Sequence, residues 1–155
     1  MTTISFLPRS SAAVANTFLQ LALMDRTPRD QMPTALRLQR LVYLAHGYSL
    51  AILSSRLVAD PVVALDTGPI FPALRDATAI FEAAPILSPV ACRDRAGLAH
   101  AQGVLVDRVW LKYGQLDEMA LHDFVYEPDT PWAATAPYLE IEPSKIAAFF
   151  AKRAA

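Results

Sequence analysis

The sequence predicts a mainly α fold with a minor β element: one compact helical domain around a central apolar helix, with a small β-hairpin or ribbon. Three observations predict it. Apolar residues recur at three- and four-residue spacing along most of the chain, the pattern of amphipathic helices. Residues that favour strands are confined to two short runs, Leu57-Val58 and Val62-Val63-Ala64-Leu65. At 155 residues, with no internal repeat and no low-complexity linker, the chain is read as one domain spanning residues 1–155.

The first helix runs from Ser11 to Met24, with Val14, Phe18, Leu21 and Ala22 on its apolar side. Ser10 or Ser11 caps its start by accepting a free backbone N–H. Thr27 to Pro33 holds two prolines and alternating charges and reads as a surface connection. Thr34 caps a second helix reaching to about Leu53. Its apolar positions are Leu38, Leu41, Val42, Ala45, Tyr48 and Ile52, and Leu44 and Leu50 widen the apolar surface. Apolarity on several sides marks this helix as central. Gly47 within it costs about 1 kcal/mol relative to alanine, a cost offset if another backbone packs closely there.

Leu57-Val58 and Val62 to Leu65, separated by Asp60-Pro61, predict the hairpin or ribbon. Two prolines make Gly68-Pro69-Ile70-Phe71-Pro72 a stiff turn, and Pro72 suits the first turn of a helix to about Phe81. Pro85 to Gly103 has weak periodicity and reads as loop with a short strand or turn. A helix follows over Val104 to Tyr113, with Gly114 as a left-handed stop. Asp117 caps another helix to about Val125, and Glu127 to Pro131 breaks it. Trp132 opens a short segment ending before Pro137. The last helix begins at Glu142-Pro143-Ser144 and carries an Ile146, Phe149 and Phe150 stripe.

Composition narrows the function classes. A net charge of −1 gives no general attraction to nucleic-acid phosphates, so none is expected as a partner. The single Cys92 excludes an intramolecular disulfide and any multi-cysteine metal site, as in a reducing cytoplasm. No stretch approaches the roughly 20 apolar residues that span a bilayer, and Met1 to Ser10 lacks the apolar core of a secretory signal. The expectation is a cytoplasmic protein without a membrane partner. A mean hydropathy of +0.27 fits either an alanine-rich chain with an ordinary core or an exposed interaction patch.

Five segments, in order, resemble the Panacea-domain family (SocA-like and phage-associated GepA-like proteins). Val14-Ala15-Asn16-Thr17-Phe18-Leu19 resembles the family's opening helix. Leu36-Arg37-Leu38-Gln39-Arg40-Leu41, continuing through Val42-Tyr43-Leu44-Ala45-His46-Gly47, is similar to its Leu-Lys-Leu-Gln-Lys-Leu helix. Gly68-Pro69-Ile70-Phe71-Pro72 resembles its Gly-Pro turn, Val109 to Gly114 a Val-Trp-Glu-Lys-Tyr-Gly segment, and Pro131-Trp132 a late Ser-Pro-Trp element. Two places depart from the pattern. Leu65, Asp66 and Thr67 stand where relatives carry an aromatic pair, and Val125-Tyr126 where they often carry Thr-His. The resemblance implies an antitoxin or immunity-type protein that binds and neutralises a cognate protein toxin. In the SocA case the protein is an adaptor delivering its toxin to an AAA+ protease. An adaptor or chaperone for a secreted effector is the alternative, and a hydrolase built on His46 or His122 a remote one.

The residues themselves predict no catalysis. His46, His100 and His122 match no metal-ligand spacing, and neither HExxH nor CxxC occurs. The five glycines are isolated, so no phosphate loop forms, and neither metal nor nucleotide cofactor is expected. His46 reads as a hydrogen-bonded tip at the edge of the core, where relatives carry Gln. Asp117 and Glu118 suit a helix N-terminus. Cys92 reads as a structural or exposed thiol. The predicted partner-binding surface is the stiff turn Gly68, Pro69, Ile70 and Phe71, bordered by Gln39, Tyr43 and His46 on one face of the second helix. The other reading of Phe71 is a core residue packed on that helix. Trp132 either plugs the core and pins its loop or stands exposed as a binding anchor.

Overall fold

Every residue from Leu38 to Ser49 is buried, so the second helix does run through the middle of the molecule. The computed structural model describes residues 6–94 and 97–154. Six α-helices and one two-stranded antiparallel sheet appear among them. They are α1 (Ser11–Met24), α2 (Ala35–Tyr48), β1 (Val63–Leu65), β2 (Gly68–Ile70), α3 (Pro72–Thr78), α4 (His100–Tyr113), α5 (Glu118–Val125) and α6 (Pro143–Ala154). The mainly α class read from periodicity is the class observed. No helix is long and apolar enough to cross a membrane.

Local chemistry sets the helix starts. Ser10 Oγ accepts the Ala13 N–H at 3.1 Å, Thr34 Oγ1 that of Arg37 at 3.2 Å, and an Asp117 carboxylate oxygen that of Ala120 at 2.9 Å. Pro72 opens α3, where its missing N–H costs nothing. Around α2 pack α1, α3, α4, α5, α6 and β2. Phe18, Leu38, Leu41, Leu44, Phe71 and Phe150 are enclosed, and the buried apolar side chains other than Ile70 and Val125 form one contiguous cluster.

Five details differ from the sequence reading. The hairpin pairs β1 with β2, not with Leu57-Val58; Val58 instead makes a lone parallel bridge to Arg9. The Gly-Pro segment thus joins a sheet despite Pro69. Register explains it: Pro69 faces Ala64, whose own N–H and C=O bond outward to Leu139 O at 3.0 Å and Tyr138 N at 2.8 Å. That pair carries no ladder hydrogen bond, so proline removes none.

The second helix also changes winding. Ser49–Leu53 forms a π turn, locked by Ser49 Oγ donating to Ser55 O at 2.8 Å. One extra residue per turn shifts the phase by about 100°, and Ile52, an expected core position, is 58% exposed. Gly47 admits an aromatic ring rather than a backbone: a Cβ there would overlap Phe150. Gly114 has φ −61°, so it is no left-handed stop. A Cβ on it would lie 2.6 Å from the Trp110 carbonyl oxygen, so close approach requires the glycine. Finally, α4 begins four residues earlier than Val104, where Gln102 Oε1 accepts the Ala99 N–H at 2.9 Å and caps the start.

Candidate functional site: an apolar groove with a basic rim

An open groove of about 530 Å³ lies between α4, the π turn and the last turn of α6. On α4, His100, Val104, Arg108 and Lys112 recur every fourth residue and form one ridge along it. Ile52 and Leu53 supply the facing wall, pushed outward by the π turn, and Arg153 closes one end. At the base the Tyr48 and Tyr113 rings stack 6.1 Å apart and their hydroxyls hydrogen-bond at 2.7 Å. Burial, then that hydrogen bond, raises the Tyr48 pKa, so its hydroxyl stays neutral at ordinary pH.

Among the described residues no Asp or Glu lines this groove, whereas Arg108, Lys112 and Arg153 do. Among the described residues none of the three has a carboxylate within 4.0 Å. Two rest on aromatic faces instead. The Lys112 ammonium lies 5.4 Å from the Tyr113 ring centre, and the Arg153 guanidinium 4.5 Å and 5.0 Å from those of Phe149 and Phe124. The groove therefore offers exposed apolar side chains between cations that have no acid of their own.

The surface predicted from the sequence is interior. Gln39 is 3% exposed and clamps the Gly-Pro segment: its Nε2 donates to Phe71 O at 3.1 Å and its Oε1 accepts Phe71 N at 2.9 Å. Tyr43 lies edge-on to Phe150 at 5.6 Å, and burial raises its pKa. His46 accepts the Val58 N–H at Nδ1, 3.2 Å away, and meets Phe71 edge-on at 5.9 Å. Burial, with a smaller push from the Arg56 charge, lowers its pKa to about 3, so the ring is neutral. Gly68, Pro69 and Ile70 are buried in β2, and Phe71 is fully enclosed. Neither Ile70 nor Phe71 faces solvent, which corrects the predicted docking turn; the reading of Phe71 as core is the one observed. Trp132 is half-buried and donates its indole N–H to Leu65 O at 2.6 Å, pinning its loop to β1.

Three further polar clusters are structural. Asp94 accepts from Ser10 N at 2.8 Å, Ser10 Oγ at 2.5 Å and Cys92 Sγ at 3.1 Å, tying a loop to the start of α1. Burial alone would raise the Asp94 pKa, but these donors bring it down to about 2. Burial and the Asp94 hydrogen bond raise the Cys92 pKa, the opposite of an activated thiol. Arg40 donates to Thr67 O and Tyr126 Oη, and Tyr126 Oη donates to Thr67 O at 2.6 Å. Thr67 and Tyr126, far apart in sequence, thus touch each other. His122, Asp123 and Glu127 gather on the surface, the His122 Nδ1 lying 3.8 Å from an Asp123 oxygen and 3.3 Å from a Glu127 oxygen. Among the described residues no hydrogen bond joins a Ser, Thr or Cys side chain to a histidine.

The sequence reading missed Arg108, Lys112, Arg153 and Val104 as a group. The fourfold spacing from His100 to Lys112 was the available signal, hidden once the helix was started at Val104. No protein-family model, curated protein or solved structure matches this chain.

Proposed function

We propose that this chain is a cytoplasmic, non-catalytic antitoxin or immunity-type protein, which binds a cognate protein toxin and neutralises it. The observation that carries the reading is the groove: exposed Ile52 and Val104 beside Arg108, Lys112 and Arg153, which have no ion pair among the described residues. Apolar surface flanked by arginine and lysine suits association with another protein. The Panacea resemblance supplies the kind of partner. In the fold the Gln39 amide joins two of the segments quoted for that resemblance through paired hydrogen bonds to Phe71. Delivery of the bound toxin to an AAA+ protease belongs to the same reading.

Co-expression with the product of the adjacent open reading frame tests it. The expected result is growth arrest by the neighbour alone, relieved by this chain, and a stable complex on gel filtration. A toxic neighbour whose effect persists, or the absence of a complex, would overturn the reading.

A further inference from the structure

The groove's charge and spacing narrow the occupant. Resting on the protein-binding reading above, we propose that the groove takes an amphipathic helix of the partner, carrying two carboxylates four residues apart beside an apolar stripe. Arg108 and Lys112 are four residues apart on α4, about 6 Å along the axis at 1.5 Å per residue. Carboxylates at i and i+4 on a packed helix have the same spacing, so both ion pairs form together. A row of fourth-residue side chains is also the ridge that packs into the groove of a second helix. Val104 precedes the two cations on that row, and Ile52 faces it from the π turn, so the occupant's apolar stripe covers both.

Two features favour an acidic occupant. Arg108 and Lys112 have no ion pair to break among the described residues, and no carboxylate in the lining repels an incoming one. A second copy of this chain is disfavoured, because a symmetric contact would set the same cations against each other. Nucleic acid lacks a platform, since Tyr48 and Tyr113 are buried and stacked on one another.

The test uses two labelled amphipathic peptides of about 14 residues with one apolar pattern, bearing either Glu or Lys at positions i and i+4. Anisotropy is followed at about 0.05 M and 0.5 M salt, where screening differs strongly. The wild type is expected to bind the Glu peptide, less tightly at high salt, and the Lys peptide about tenfold or more weakly. The double variant Arg108→Glu, Lys112→Glu, whose sites are both exposed, should keep its circular dichroism spectrum and reverse that preference. Equal affinity for both peptides, binding of neither, or an unchanged preference in the double variant would overturn the proposal. So would tight binding of dodecanoate with no binding of either peptide, which would make the groove a fatty-acid site. The same double variant separates this inference from neutralisation in the growth assay. If wild type and variant rescue growth equally, the groove is not the docking site and neutralisation stands. If the wild type gives no rescue, neutralisation falls and the peptide preference alone decides the groove.

Discussion

At position 46 an imidazole serves as a fixed acceptor. Its Nδ1 holds the Val58 N–H, it is 1% exposed, and burial with the Arg56 charge lowers its pKa from 6.5 to about 3. Below pH 6.5 the unfolded chain takes up a proton that the folded chain refuses. Stability is therefore complete above that pH and is lost as pH falls toward about 3. The steepest slope from one such group is about 1.4 kcal/mol per pH unit. His46→Gln retains an acceptor without the titration, so urea melts at about pH 7 and pH 4.5 should differ less in the variant than in wild type. An identical pH dependence in both would show that another group carries the acid sensitivity. Gln39 makes the same point about polar residues in α2. The spacing puts Gln39, Tyr43 and His46 on one face, read from the sequence as the border of a docking groove, with His46 also read as a hydrogen-bonded tip at the edge of the core. Each is buried, and two of them satisfy backbone groups of Phe71 and Val58. Nothing in a single sequence says whether a polar side chain meets water or an interior backbone group.

Among the elements, those with helical period and a cap were legible: α1, α5 and α6 appear where apolar spacing, Ser10, Asp117 and Pro143 put them. The hairpin was misassigned because Pro69 lacks an N–H, and only register reveals that none is needed opposite Ala64. The π turn leaves no pattern of its own, so Ile52 was assigned to the core. Under α5, Arg40 Nη1 and Tyr43 Oη are buried without hydrogen-bond partners. They adjoin Leu121, Phe124 and Val125 of that helix. An unsatisfied buried polar atom costs about 1–3 kcal/mol, and lifting α5 would hydrate both. Amides of α5 should exchange with deuterium at least tenfold faster than those of α2 between Leu41 and Gly47. Equal protection in the two helices would mean that α5 opens only with global unfolding.

At the scale of the whole molecule, residues 38–49 of the second helix are buried, so the proposed docking surface lies on the elements around it. The groove uses the α4 ridge, the π turn and the end of α6, parts distant in sequence that no motif links. For that reason the site was not legible, although the fold class was. Hydrogen exchange on the complex with the adjacent open reading frame's product tests the central claim most directly. The account predicts new protection confined to Ser49–Leu53, His100–Tyr113 and the last turn of α6 around Arg153. Protection centred on another face, or none anywhere, would contradict it.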